Sequence, residues 1–388
     1  MRRRTFLGLL SALAAGAAGL SAVRPVAAQS ERLIWWDPAT PALPPDLVVL
    51  EWRYLSGRIT ADGEDFGFVL SLARYYPPLS PDQFPPQLLV TRQELAGDGG
   101  HVTRTYPSTP GYDIPSATYT YTATGGAAAS ATWRLDEAAQ RYELSVSSPE
   151  LSLSGLTLEP VGALIAEGGT GDILTAQFGN VAVRSDYYAD WVEIRRADET
   201  IGYGRLDMQT LKPSGVPSST NFAHHWFAVA AEVAGEPVWI SAWRLESDVT
   251  TWAVTIARGR GASWRVESFS EQTSGVAFPL EVTILDYQMQ PMPADTPPRR
   301  TGRRWRISAG VAVPGDLLDL EIAVPPGQFI TGARVAGSFA GATPMQEALT
   351  MEAAGTVGGA PLEGVQFAIA ESTFHEPAPW VALPLLHR

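Results

Sequence analysis

The sequence contains no cysteine, and its only lysine is Lys212. Without cysteine the chain has no disulfide bond, thiolate nucleophile, lipoprotein anchor or cysteine-based metal site. Positive charge is also scarce, because 28 basic residues stand against 41 acidic residues and the net charge is −13. A chain this negative repels phosphate backbones, so we exclude nucleic acid as a partner.

After the N-terminal segment the sequence has no apolar run long enough for a membrane-spanning helix, which needs roughly 18 such residues. The N-terminus itself reads Arg3-Arg4-Thr5-Phe6-Leu7, then an apolar Ala- and Gly-rich run, then Val26-Ala27-Ala28. This order is typical of a twin-arginine export signal. We therefore predict that residues 1–28 are a signal peptide. The protein is then periplasmic or extracellular, or membrane-tethered if the signal is not cleaved.

Hydrophobic residues repeat with a period of two through most of the chain. Alternation of this kind places one face of a strand in a core and the other in water, as in antiparallel sheets. Glycine (36 residues) and proline (31 residues) interrupt the runs at short intervals, as turns do. The sequence therefore predicts an all-β protein. The clearest runs are Phe66, Phe68, Leu70 and Leu72, and Leu318, Leu320 and Ile322.

An aromatic hairpin occurs twice. The first copy, residues 51–74, turns at Asp62-Gly63, and the second, residues 224–244, turns at Ala234-Gly235; both end on arginine. A repeated unit of this kind predicts two copies of one β domain. The Pro- and Ser-rich segment Lys212–Asn221 precedes the second copy and is typical of a linker. We place the two domains at residues 29–222 and 223–388.

At these hairpins the chain resembles the AttH-like and hydroxyneurosporene synthase-like family, which includes carotenoid 1,2-hydratases (CrtC-like proteins). The matching segments are Glu51-Trp52-Arg53-Tyr54, Phe66-Gly67-Phe68, His224-His225-Trp226-Phe227 and, near the C-terminus, 344–348 with 364–367. The resemblance covers nearly the whole chain after the signal. It implies two tandem lipocalin-like antiparallel domains, each a β-barrel or sandwich.

The chain departs from the hydratase pattern at one point. Hydratase-like members carry an Asp-His pair shortly before the second aromatic strand, where this chain has Asp207-Met208. An alternative alignment places His224 or His225 in that role, without an adjacent acid in the sequence. The resemblance thus implies four candidate acid–base residues, and alkene hydration needs such a proton donor in a dry site. They are Asp207, Glu347, His224 and His225.

Metal and cofactor sites are not predicted. The chain has five histidines and no His-Glu-x-x-His spacing. Adjacent histidines on a strand, such as His224 and His225, point to opposite faces. Phosphate-binding loops and serine-hydrolase elbows are absent from the sequence as well.

Aromatic residues are the strongest positive feature. Inward-facing rings of a β-barrel either fill it or line a cavity for an apolar ligand, and Trp and Tyr add one polar edge. We predict ligand contacts from Trp52, Tyr54, Phe68, Tyr187, Tyr188, Trp191, Trp226, Phe227, Trp239 and Trp243.

These observations predict an exported, lipocalin-like protein that binds a hydrophobic small molecule, an isoprenoid or a lipid, in an aromatic-lined cavity. One alternative is a hydro-lyase of the carotenoid 1,2-hydratase type. A second is a non-catalytic module of a membrane-associated export or envelope complex. The sequence does not decide between them and gives no oligomeric state.

Overall fold

The computed structural model describes most of the chain after the N-terminal segment. The described residues are 50–75, 86–95, 100–113, 115–178, 181–213, 223–246, 249–271, 277–290, 299–324, 330–331, 345–348 and 352–373. The predicted signal peptide lies outside them. Within them, no helix is long and apolar enough to cross a membrane.

Twelve strands form the first sheet. They are β1 (Leu50–Ala61), β2 (Glu64–Tyr75), β3 (Gln87–Glu94), β4 (His101–Asp113), β5 (Thr118–Ala123), β6 (Ser130–Asp136), β7 (Arg141–Ser147), β8 (Ser152–Pro160), β9 (Ile165–Ala166), β10 (Asp172–Phe178), β11 (Val181–Arg196) and β12 (Glu199–Pro213). Ten of them close into a barrel, because β11 pairs with both β12 and β8. We call it the first barrel.

Eleven strands form the second sheet. They are β13 (Ala223–Val233), β14 (Glu236–Glu246), β15 (Thr250–Arg258), β16 (Arg265–Ser270), β17 (Phe278–Gln290), β18 (Arg299–Gly310), β19 (Leu318–Ala323), β20 (Ile330–Thr331), β21 (Met345–Ala348), β22 (Glu352–Val357) and β23 (Ala360–Thr373). Nine of them, in the order β16-β15-β14-β13-β23-β22-β19-β18-β17, curl into a nearly closed second barrel. The Arg244 side chain of β14 donates a 2.6 Å hydrogen bond to the Leu280 carbonyl of β17 and so links strands that are far apart in this order.

The all-β prediction is confirmed, and both predicted hairpin turns are present at Asp62-Gly63 and Ala234-Gly235. The predicted linker begins inside β12, which continues to Pro213. The remainder of that linker lies outside the described residues, and the domain boundary at 222/223 stays a prediction.

Three apolar clusters organise the molecule. The first fills the first barrel and includes Phe68 and Leu206, and another fills the second barrel and includes Phe227 and Trp305. The remaining cluster lies between the barrels and takes residues from both. The expectation that one face of each strand meets water is therefore wrong for β2. Val69 and Ala73, on the outer face of β2, are buried because they belong to the cluster between the barrels.

Candidate functional site between the barrels

The candidate site lies where the outer faces of the two barrels pack together. Strands β1, β11 and β12 of the first barrel face β13 to β16 and β23 of the second. We call the buried rings at this contact the inter-barrel cluster: Tyr54, Tyr187, Trp191, Trp226, Trp239, Trp243 and Phe367. Its rings meet edge-on or tilted, as Tyr54 and Trp226 do at 6.0 Å between centroids and Trp191 and Trp239 at 5.4 Å.

Strand alternation explains which residues face this contact. On β12, Leu206 and Met208 point into the first barrel, whereas Tyr203 packs against the inter-barrel cluster. Arg205 and Asp207 share the parity of Tyr203 and therefore face the second barrel as well. The segment Arg205-Leu206-Asp207 thus places a cation and an acid side by side on a buried surface.

A buried ion cluster, formed by Arg205, Glu167 and Asp207, lies within the contact. Arg205 and Glu167 are both 0% exposed, and Arg205 Nη2 lies 2.6 Å from Glu167 Oε1 and 2.9 Å from Asp207 Oδ1. Glu167 Oε2 accepts a 2.8 Å hydrogen bond from Thr255 Oγ1 of the second barrel, and Thr255 lies 2.8 Å from Ser268 Oγ. The ion cluster is therefore tied to both barrels.

The electrostatics of this cluster set the protonation of Asp207. The pKa of Asp207 is raised to about 7, chiefly by burial and also by the nearby Glu167, while Arg205 and a hydrogen bond with Tyr187 act in the opposite direction. The pKa of Tyr187 is raised well above its usual range by burial, so its hydroxyl stays protonated and can donate. Asp207 is thus a buried carboxyl group whose pKa lies near neutral pH.

Several hydrogen-bond donors at this contact have no partner among the described residues. Arg205 presents Nε and Nη1 without a hydrogen bond, and Trp226 and Trp243 present their indole Nε1 groups in the same way. The guanidinium carbon of Arg205 lies 5.3 Å from the centre of the Trp191 ring and 5.6 Å from that of Trp226. The aromatic faces stabilise its charge but leave its free donors unsatisfied.

The two predicted catalytic histidines take different positions. His224 Nδ1 lies 3.1 Å from Glu371 Oε1, so it has an acidic partner that its own sequence neighbourhood does not reveal. Glu371 has the strand parity of Phe367 and faces the inter-barrel contact beside Trp226. His225 faces the other way, with its ring 2.9 Å from Ser372 Oγ. Burial, with help from His224 and Arg244, lowers the pKa of His225 to about 3.

The backbone of Glu347 lies in the same region as Glu371. It pairs with Glu371 across β21 and β23, so the strand that carries it lies beside the partner of His224. Its side chain lies outside the described parts of the structure. Asp207 lies on the first barrel, where it pairs with Tyr54 and Ala189 on the face toward the second barrel. The catalytic roles predicted for these residues stay predictions.

Seven of the ten predicted ligand-binding aromatics come together between the barrels; Trp52 packs against the edge of the inter-barrel cluster and six belong to it. They are Trp52, Tyr54, Tyr187, Trp191, Trp226, Trp239 and Trp243. The other three are separated from them by strand parity. Phe68 lies inside the first barrel, Tyr188 packs against the core of that barrel, and Phe227 lies inside the second.

Sequence reasoning missed Glu167, Arg205, Thr255 and Glu371. Glu167 stands in a short 3₁₀ turn, Glu167–Gly169, between β9 and β10, where nothing in the local pattern predicts burial. The only sequence signal was the position of Arg205 two residues before Asp207, which puts both on one face of a strand.

Comparisons with known proteins agree with this architecture. No protein-family model and no curated protein matches the sequence. A crystal structure from Nitrosomonas europaea assigned to AttH superposes with a TM-score of 0.53 at 16% identity, over 90% of this chain and 99% of that one. Kievitone hydratase from Nectria haematococca gives 0.51 at 13% identity, over 89% and 95%. The likeness shows the fold: this chain has two tandem lipocalin-like β domains, as the resemblance to AttH-like proteins predicted.

Proposed function

We propose that the protein binds a largely apolar small molecule, an isoprenoid or a lipid, at the inter-barrel cluster through an oxygen atom that accepts hydrogen bonds. The observation that carries this proposal is the set of free donors on Arg205 and Trp226 inside an aromatic contact. Export of the protein, which the sequence predicts, is part of the same proposal.

Energetics favour a bound acceptor. Leaving a buried donor without a partner costs about 1–3 kcal/mol, and more when the donor is charged. An acceptor oxygen that reached Arg205 or Trp226 would supply a hydrogen bond that these donors lack. The rings of Tyr54, Trp191 and Trp226 offer apolar contact for the remainder of such a molecule.

Two probes with one carbon skeleton test this. Menadione carries two carbonyl oxygens that 2-methylnaphthalene lacks, and a chain without cysteine has no thiol for the quinone to alkylate. Isothermal titration calorimetry should show menadione binding at least tenfold more tightly than 2-methylnaphthalene. Oleic acid and β-ionone extend the series to lipids and isoprenoid ketones.

Two tryptophan variants test where the ligand binds. Trp226→Phe removes a free indole donor of the site, whereas Trp305→Phe changes a ring inside the second barrel. We expect the first to weaken menadione binding by about tenfold, as the loss of one hydrogen bond implies, and the second to preserve it. No binding of any probe, or equal losses in the two variants, would contradict the proposal.

Hydration of an alkene is the second candidate function, and the raised pKa of Asp207 favours it. In this reaction the protonated carboxyl of Asp207 transfers its proton to one alkene carbon, which leaves a tertiary cation on the other. Water then bonds to the cation and returns a proton to the carboxylate, so that no net proton is consumed. Kievitone hydratase, which shares the fold, has a hydration reaction in its name.

The hydratase candidate has its own test. The full chain is incubated with an acyclic carotene and the products are examined by mass spectrometry for the addition of water. Asp207→Asn should abolish such a product, and Glu347→Gln tests the second acid that the sequence predicts. Absence of a hydrated product from the unaltered protein would reject this candidate and leave the binding proposal intact.

A further inference from the structure

Glu167 connects the candidate site to the second barrel. One carboxylate oxygen accepts from Arg205 of the first barrel at 2.6 Å, and the other accepts from Thr255 of the second at 2.8 Å. Both oxygens of a fully buried carboxylate are thus held by donors from different barrels. Its turn packs between β15, β16 and β11, so it has little freedom to move.

The contact around this connection is tightly fixed. The Gly261 amide donates a 3.0 Å hydrogen bond to the Val161 carbonyl across the barrels, and Arg260 of the second barrel forms an ion pair with Glu193 of the first. The docking of the second barrel therefore determines where Thr255 stands, and Thr255 determines how the charge of Glu167 is shared.

We propose that Glu167 is a positioning residue that makes the protonation of Asp207 depend on the docking of the second barrel. This inference concerns the regulation of the site and rests on the proposed function only for what the site binds. Glu167 orients Arg205, and Arg205 is the only cation within 4 Å of Asp207 in the described chain.

The charged and titratable groups that act on Asp207 come from three elements. Arg205 lies on its own strand, Glu167 in the turn after β9, and Tyr187 on β11. Without the negative charge of Glu167, Asp207 would have Arg205 to itself. Its carboxylate form would be more stable, and its pKa would fall.

Loss of the Thr255 hydroxyl should act in the opposite direction. Glu167 Oε2 would then lack its donor, and the free Nη1 of Arg205 can supply one by forming a bidentate pair with Glu167. The guanidinium would turn away from Asp207, whose carboxylate would be less stabilised. The pKa of Asp207 would rise.

The experiment follows the carboxyl group of Asp207 in the ligand-free full chain. Infrared difference spectra recorded across pH report the C=O stretch of protonated carboxyl groups, and Asp207→Asn identifies its band. We expect a transition near pH 7 in the unaltered protein. Glu167→Gln should move it down by about one pH unit, a tenfold change in the acid constant, and Thr255→Val should move it up.

Two conservative variants serve as controls. Thr255→Ser keeps the hydroxyl that donates to Glu167, and Ser268→Ala removes a hydroxyl that hydrogen-bonds Thr255. Both should titrate like the unaltered protein. The proposal is overturned if Glu167→Gln, folded by circular dichroism, titrates unchanged, or if Thr255→Val and Thr255→Ser titrate alike.

The titration can be interpreted even if one variant does not fold or if no ligand binds. If Glu167→Gln does not fold, the pair of Thr255 variants decides alone, because both retain every charge. Since no ligand is present, failure of menadione to bind would reject the proposed function without affecting this titration.

Discussion

A single buried arginine determines the character of the inter-barrel contact. Removing a guanidinium from water is costly, and the cost is offset only by close opposite charges and good hydrogen bonds. Arg205 has two carboxylates within 3 Å and two indole faces beside it. It nevertheless has more donors than partners among the described residues, which is why we regard this contact as a site and not only as packing.

His225 gives a prediction at the residue scale. Its pKa is lowered to about 3 in the folded chain, against about 6.5 in an unfolded one. Between these values the unfolded chain binds one more proton, so the free energy of unfolding falls as the pH falls from 6.5 toward 3. We expect His225→Asn to reduce this fall by about 1 kcal/mol per pH unit.

Urea denaturation at several pH values measures the slope. His101→Asn, at the first residue of β4, is the control for the loss of a histidine. If the free energy of unfolding falls equally steeply with pH in the unaltered protein and in His225→Asn, then His225 is accessible to protons in the folded chain.

At the scale of the hairpin, the two halves have the same backbone conformation at the turn. Asp62-Gly63 and Ala234-Gly235 both have two consecutive positive φ angles, 55° and 81° in the first turn and 51° and 75° in the second. Tight hairpins need this left-handed pair because it matches the twist of the strands. Alanine is poorly suited to the first position, where asparagine or aspartate is preferred.

Ala234→Asn should therefore stabilise the β13–β14 hairpin. We expect the free energy of unfolding to rise by about 0.5–1 kcal/mol, as relief of left-handed strain implies. The same substitution at Ala354, an exposed strand residue of β22, should lower it, since asparagine is disfavoured in strands. Urea midpoints that move in the same direction for both variants would contradict this reading of the turn.

At the scale of the whole molecule, close packing between the two barrels determines how they dock. Gly162 of the first barrel lies directly under the Trp264 ring of the second, and a Cβ atom built on Gly162 would stand 1.9 Å from that ring. Glycine is thus required there by space and not by backbone conformation.

Gly162→Ala should weaken docking, and Trp264→Ala should restore room for it. We expect Gly162→Ala alone to cost about 1–3 kcal/mol, as overpacking does, and to cost much less in the Trp264→Ala background. Gly100→Ala, where a Cβ atom meets nothing closer than 3.8 Å, is the control. Additive losses in the double variant would show that the two residues do not contact each other in solution.

The sequence by itself determined the strand content and the hairpin turns, because alternation and turn residues act between near neighbours. The tandem lipocalin-like fold followed from the repeated hairpin and from the resemblance to AttH-like proteins. It also placed most of the aromatic residues on strands. The pattern worked best on β19, where Leu318, Leu320 and Ile322 are buried and alternate with less buried acids. It failed on β2, where both faces are buried and alternation carries no information about what covers the outer one.

Only the tertiary structure decided that the outer faces of the barrels meet and that a site lies between them. Glu167 and Thr255 are 88 residues apart, and His225 and Ser372 are 147 apart. The first contact depends on how the two barrels pack and the second on the pairing of β13 with β23, and no local period encodes either. Glu167, which raises the pKa of Asp207, is likewise distant from it in the sequence, whereas Arg205 is a local neighbour.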